Sequence, residues 1–424
     1  MYTYMRKKKL GPVLLSGLII GPILGSGIIL LPPLIYKTTG DYAIIAWLLI
    51  MGIGFLFASL FGKLSILFPS ESGVAHAVDQ AFGPSMKQLT SIFFIIAGCL
   101  GPTAVLMTAS QYIAALFSNF KVPLEGIGFL LMCLCVLILL LDISSIGKIS
   151  FVFSTAATVL LLSGGIRSIP HFRSEQLVQT SFSFGDFGYS ILLLFWALVG
   201  WEIIGNYSMD VKNRKKTIPQ AITISTLTVT VVCLVVAGAT QWIVIPSSHQ
   251  EDLRITAILA TLFGEFAVPL IAFITTVLCM STYLLVVGGV SRLIASEAKY
   301  IKKLYTLSYR TKSNVSIYSL LFLIGVHTIV FICLYNDFIT VEQIVAIANA
   351  FFICNAICGI FAAYKLLPGL FNKILSLSLI VCFLIILSFS SIWILISIGI
   401  LVGFYGLQYF KNRPNTYEKE ISIR

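Results

Sequence analysis

Long apolar runs bounded by polar or turn-forming residues recur along the chain, at 11–36, 42–65, 89–117, 124–141, 149–169 and 188–209 in its first part. A second set follows at 218–245, 268–294, 316–335, 341–367, 371–389 and 391–410. A hydrocarbon core about 30 Å thick is crossed by about 20 apolar residues of helix. The pattern therefore predicts an all-α integral membrane protein with twelve transmembrane helices. The longest hydrophilic segment, 296–316, is too short for a separate soluble domain, so the working parts are expected among the helices.

Composition sharpens this by exclusion. Of 424 residues, 58% are hydrophobic and 11% charged, whereas a soluble domain devotes about a quarter of its residues to charge. A soluble enzyme is excluded. The net charge of +11 would suit a polyanion only if it were clustered, and it is instead sorted by side. With the N-terminus in the cytoplasm, 23 of the 28 Lys and Arg residues fall on the cytoplasmic side, leaving Lys37, Lys121, Arg167, Arg173 and Arg254 outside. Such a bias orients a multi-pass protein of the cell membrane with both termini cytoplasmic, and it accounts for the basic charge without nucleic acid. Arg6 to Lys9 precede the first run as in a signal peptide, but no small-residue cleavage site follows before a soluble domain.

Nine cysteines lie inside apolar runs, where they act as small hydrophobes with neither a disulfide framework nor zinc spacing. Cys354 and Cys358 share a helix face, yet two thiols make no metal site. His327 is the one histidine within a span and is expected to be a structural residue with its hydrogen bonds satisfied. With no nucleophile–base pair or metal cluster in the spans, no enzyme is expected, and no cofactor.

Two runs are interrupted. In the first, Gly21, Gly25 and Gly27 surround Ser26, and Pro32 and Pro33 follow. Glycine in a helix interior is unfavourable by roughly 1 kcal/mol and proline by about 3, so this cluster is a candidate break. In the sixth, Leu198, Val199 and Gly200 sit between Trp196 and Trp201, with Glu202 next. Breaks at the start of two five-span halves point to a secondary transporter built from inverted repeats. The expected organisation is a cytoplasmic N-terminus at 1–10, a first repeat at 11–169, a second at 188–367, a helical hairpin at 371–410 and a cytoplasmic tail at 411–424.

The residues at these breaks resemble a known family. Gly21-Pro-Ile-Leu-Gly-Ser-Gly-Ile28 with Pro32 is similar to the first-helix signature of the amino acid–polyamine–organocation (APC) superfamily. Trp196-Ala-Leu-Val-Gly-Trp-Glu202, with Asp210-Val-Lys-Asn213 and Ile218-Pro219, resembles its sixth helix and following loop. Pro69-Ser-Glu-Ser-Gly-Val-Ala-His76, ending in Ala81-Phe-Gly83, resembles the loop after the second helix. Its Gly-Val-Ala-His form is similar to bacterial exporters of methionine and branched-chain amino acids, although Glu71-Ser72 replaces the small residues usual there. The second half matches mainly in helix pattern.

The resemblance implies a 5+5 inverted repeat with broken first and sixth helices, two extra C-terminal helices, and a mid-membrane site for an amino acid. A half-helix starting near Gly27 would offer unpaired N–H groups and a partial positive charge to a substrate carboxylate. Ser26 and Gly27 are implied there, and carbonyls around Ile23, Trp196 and Val199 for the ammonium group. Thr103, Leu106 and Met107 of the third span, with Trp196, Leu198, Asn349 and Phe352, would shape the side-chain pocket. No acidic residue is expected there apart from Glu202, which lies past the break, so a dibasic substrate is disfavoured in so dry a pocket and a neutral, apolar amino acid is expected. Thr103 stands where arginine/agmatine exchangers carry a polar amide, which agrees.

Trp196 matches the aromatic that closes over substrate in similar transporters. Ser281 and Thr282 of the eighth span resemble by position a sodium-site hydroxyl pair, while a hydroxyl in a membrane helix often simply bonds the carbonyl a turn earlier. Glu202 is expected to be structural or proton-coupling, leaving H+ or Na+ as the coupling ion. An exporter or antiporter is the leading expectation; a non-transporting amino-acid sensor is the alternative, which the short tail disfavours. Beyond the amino acid and the lipid bilayer, no partner is implied, and oligomeric state has no sequence signal.

Overall fold

A computed structural model describes residues 11–25, 27–69, 74–116, 122–141, 146–172, 180–201, 208, 211, 213–243, 254–299, 301–311 and 315–411. Ser26, Glu202, Glu71 and Ser72 lie outside the described residues. The regular structure of the described residues is helical, with an isolated bridge between Phe172 and Ile243 and a further bridge residue at Val211. Its α-helices are α1 (Pro12–Leu24), α2 (Gly27–Thr39), α3 (Ala43–Leu67), α4 (Val74–Phe82), α5 (Pro84–Ala114), α6 (Leu124–Leu141), α7 (Ile146–Ser168) and α8 (Phe184–Leu194). There follow α9 (Arg214–Trp242), α10 (Arg254–Phe263), α11 (Ala267–Ala298), α12 (Ile317–Tyr335), α13 (Val341–Leu366), α14 (Leu370–Ser388) and α15 (Ile392–Lys411). Among the described residues, eight stretches are long and apolar enough to cross a membrane.

Several boundaries follow from local chemistry. Gly83 takes φ +85°, and Pro84 begins α5, where its missing N–H costs nothing, five residues before the apolar run starts. Thr340 and Gln343 form a reciprocal capping box at the start of α13. The last two helices separate at Ser388 and Ile392, on either side of a short turn.

Two short helices correct the sequence reading, which placed their residues in loops. In α4, Ala77, Val78 and Ala81 are buried, and in α10 Ile255, Ile258 and Leu259 are. These i, i+3, i+4 patterns are those of helices with one apolar face, but both segments are too short to register as membrane runs.

The core is built around α5, which packs along α11 and α13, while α3 packs along α9 and α1 against α9 and α7. Of the spanning window of α13, 89% is buried, against 6% for α15; α13 is therefore central and α15 peripheral. At one end of the bundle a four-part clasp closes the corner between α2 and α3. The Asp41 N–H donates to Thr180 Oγ1 (3.1 Å), and the Thr180 N–H donates to the Asp41 carboxylate (3.2 Å). Gln241 Nε2 donates to the Asp41 carbonyl (2.8 Å), and Gln241 Oε1 accepts from the Ile44 N–H (3.0 Å). On α13, Lys365 Nζ donates to the last-turn carbonyl of α4 at Ala81 (2.6 Å) and sits 5.0 Å from the Phe82 ring centre, a favourable place for a cation at a helix C-terminus.

Candidate functional site

The first apolar run is two helices rather than one. Helix α1 closes with a regular bond from the Gly25 N–H to the Gly21 carbonyl (2.9 Å), after which Gly25 takes φ −36° and ψ −102° and leaves the helical path. Helix α2 starts at Gly27. The first N–H groups of α2 and the last carbonyls of α1, Ile23 among them, therefore lack intrahelical partners. Pro32 and Pro33 are not at the break but inside α2. Lacking N–H groups, they leave the Ile28 and Ile29 carbonyls without their usual donors one turn earlier.

The sixth run leaves the helical path in another way. After α8 the chain tightens into a 3₁₀ turn over Phe195–Leu198, then Val199 becomes extended and Gly200 takes φ +125°, a conformation that excludes most side chains. The Val199 N–H donates to the Trp196 carbonyl at 3.2 Å, so that carbonyl keeps one acceptor direction.

The two breaks meet at Trp196, which is 9% exposed. A Cβ built on Gly27 would lie 3.5 Å from Trp196 Cδ1. On the opposite side the six-membered ring presses on Gly101 of α5, where a Cβ would fall 2.8 Å from Cη2 and 3.1 Å from Cζ3. Phe352 of α13 meets the indole edge to face, with ring centres 6.2 Å apart. The side chain is thus held between the N-terminus of α2, a glycine of α5 and an aromatic of α13.

Asn349, one turn before Phe352 on α13, is fully buried and anchors this arrangement. Its Nδ2 donates to the Leu192 carbonyl (2.9 Å) and the Leu193 carbonyl (2.8 Å), at the end of α8 where the 3₁₀ turn begins. Its Oδ1 is buried and has no hydrogen-bond partner among the described residues.

The other expected residues are distributed as follows. Ile23 is in the last turn of α1 and 2% exposed. Val199 borders a narrow crevice with Phe57, Phe61, Phe195, Phe352, Asn355 and Ala356. Thr103 is fully buried, and its hydroxyl donates to the Leu100 carbonyl of its own helix at 2.6 Å. Met107 is 3% exposed on α5. Ser281 and Thr282 are buried on α11, with the Thr282 hydroxyl donating to the Leu278 carbonyl at 3.0 Å. Ser26 and Glu202 lie outside the described residues. Among the described residues, no group of three or more His, Cys, Asp or Glu side chains is arranged to hold a metal.

Sequence reasoning missed Gly101. A glycine directly before Pro102 was a readable irregularity in the third run, but nothing local shows which distant ring it receives. His327 has both ring nitrogens engaged, one by Tyr283 Oη (2.9 Å) and the other by the Gly98 carbonyl (3.1 Å).

A first apolar run split into two helices and a sixth that leaves the helical path after Leu198 thus meet at Trp196 inside an apolar bundle. The chain belongs to the amino acid permease family of the APC superfamily, whose model matches residues 10–416. It is similar to the L-methionine/branched-chain amino acid exporter YjeH of Escherichia coli (strain K12), at 25% identity over 394 residues that make up 90% of this chain and 91% of that protein. The cadaverine/lysine antiporter of the same organism is 24% identical over 316 residues, 70% of this chain and 68% of that one. An uncharacterized amino acid permease of Bacillus subtilis (strain 168), YecA, is 21% identical over 291 residues, 68% and 66% of the two chains. These relatives are transporters rather than enzymes, and the chain is a multi-pass membrane protein.

Proposed function

We propose that this protein is a secondary active transporter of neutral, apolar amino acids, working by alternating access across the cell membrane as an exporter or antiporter. The observation that carries the reading is the junction of the N-terminus of α2 at Gly27 with Trp196 in the 3₁₀ turn after α8. Ser26, Gly27 and the adjoining N–H groups bind the carboxylate, and the Ile23, Trp196 and Val199 carbonyls take the ammonium group. Thr103, Met107 and Trp196 face the substrate side chain. The described residues packed on Trp196, namely Gly27, Gly101 and Phe352, carry no charge, which suits a neutral side chain in a dry site better than a cationic one.

The proposed architecture is twelve spans with cytoplasmic termini, ten of them in a 5+5 inverted repeat. Three matches between the halves support it. The first span is split and the sixth leaves the helical path after Leu198, a short helix follows the second and the seventh (α4 and α10), and the helices that would be equivalent pack on each other, α3 with α9 and α5 with α11. Coupling is to H+ or Na+, with Glu202, Ser281 and Thr282 as the residues assigned to coupling or to support of the break.

Counterflow of labelled substrates in proteoliposomes tests the reading. Leucine and methionine should exchange, and lysine and cadaverine should neither exchange nor compete. Exchange of lysine or cadaverine without leucine refutes the substrate class, and an absence of exchange for every amino acid refutes transport. Orientation is tested with single cysteines in a cysteine-free background: Ser181→Cys should react from outside and Lys303→Cys only after permeabilisation.

A further inference from the structure

Pro102 lies in the interior of α5, and its imide nitrogen has no proton to give the Gly98 carbonyl four residues earlier. A buried carbonyl left without a donor is costly, so its replacement partner is informative. That partner comes from another helix: His327 Nε2 of α12 lies 3.1 Å from the Gly98 carbonyl. A carbonyl can only accept, so the proton is on Nε2, and Nδ1 is left as the acceptor for the Tyr283 hydroxyl of α11 at 2.9 Å. Both side chains are fully buried. The imidazole is therefore fixed in one tautomer and one orientation, and it joins α5, α11 and α12.

What lies next to this joint gives it a function. Gly98 also packs tightly on α11, since a Cβ there would fall 2.4 Å from Val290 Cγ2. Three residues on, Gly101 receives the six-membered ring of Trp196, and Thr103 follows with its hydroxyl on the Leu100 carbonyl. The gap that Pro102 leaves in α5 is thus filled by His327, and it lies three residues from the glycine on which Trp196 rests.

We infer that His327 is a positioning residue for the substrate site. With Tyr283 orienting it, it supplies the hydrogen bond that Pro102 removes from α5 and thereby holds Gly101 in register under Trp196. The inference rests on the transport reading for its kinetic consequence but not for the hydrogen-bond substitution itself.

A double-mutant cycle separates the two. Pro102→Ala restores a backbone N–H that can reach the Gly98 carbonyl, so it should remove the need for the histidine at that carbonyl and leave only its bond to Tyr283. His327→Leu in the otherwise wild-type chain should lower the thermal transition of the purified protein and raise the KM for leucine counterflow about tenfold. In the Pro102→Ala background the same change should alter KM by about twofold or less. His327→Gln, which keeps a donor at similar reach, should recover most of the lost stability and affinity even if His327→Leu folds poorly. Equal effects of His327→Leu on stability in both backgrounds overturn the substitution. A non-additive stability cycle with KM unchanged throughout overturns the positioning role. If the wild type moves no amino acid, the transport reading fails and the positioning role with it, while the stability cycle still decides the hydrogen-bond substitution.

Discussion

The two broken helices solve the same problem in opposite ways. The first break is abrupt: α1 ends at Leu24 and α2 starts at Gly27. The second is gradual, a 3₁₀ turn carrying Phe195 and Trp196 before an extended Val199 and a left-handed Gly200. A helix N-terminus offers N–H donors and partial positive charge, whereas an unwinding C-terminus offers carbonyls and partial negative charge. A zwitterion has one group for each. The difference also bears on where the aromatic sits: a bulky side chain at Gly27 would crowd the N-terminus of α2, while Trp196 reaches Gly27 from the second break at ordinary contact distance.

The sharpest way to break this comparison is to make the first break resemble the second. In Gly27→Val the Cβ would already touch Trp196 Cδ1, and the added methyl groups would force the indole and the end of α2 apart. Transport should fall on the order of 100-fold with the protein still inserted, whereas Gly27→Ala, whose Cβ meets only ordinary contacts, should retain most of it. Normal counterflow by Gly27→Val would remove the site from this junction.

Trimming the second break should do less. Trp196→Ala removes the ring that meets Gly27, Gly101 and Phe352 without blocking donors, so the expected change is an increase of about tenfold in KM with smaller loss of maximal rate. Unchanged affinity and turnover would reduce Trp196 to packing. The converse change, Gly101→Ala, puts a Cβ 2.8 Å from the ring and should raise KM about fivefold; no effect would show that the ring has another place to rest.

Asn349→Leu probes the support of the second break alone. It removes both donors from the Leu192 and Leu193 carbonyls, which should destabilise the protein by roughly 2 kcal/mol, seen as a lower thermal transition, with leucine affinity shifted about threefold or less. A loss of transport as large as that of Gly27→Val would mean that Asn349 touches the substrate directly through Oδ1.

The smallest effect is expected away from both breaks. The Thr282 hydroxyl already donates to the Leu278 carbonyl, so Thr282→Ala alone should change transport less than about twofold. A sodium titration of the wild type, followed by Ser281→Ala with Thr282→Ala, decides whether the pair does more. Stimulation by sodium that the double variant loses would assign the pair to coupling.

The sequence by itself determined what depends on near neighbours along the chain. Span length, the apolar alternation of the loops and helices, and the weak points at Gly25–Gly27 and Val199–Gly200 follow from backbone conformational energies and the thickness of a bilayer, so they can be read one segment at a time. The short helices α4 and α10 were as local in origin, and a search for one-sided apolar faces would have found them. Tertiary structure alone decided which glycine receives Trp196, which amide holds the end of α8, and which imidazole replaces the proton missing at Pro102. Those contacts join residues 157 positions apart for Asn349 and Leu192 and 229 apart for His327 and Gly98. A buried polar group must find a partner, but the chain does not say which; only the packing of α5, α8, α12 and α13 brings one within 3 Å or so.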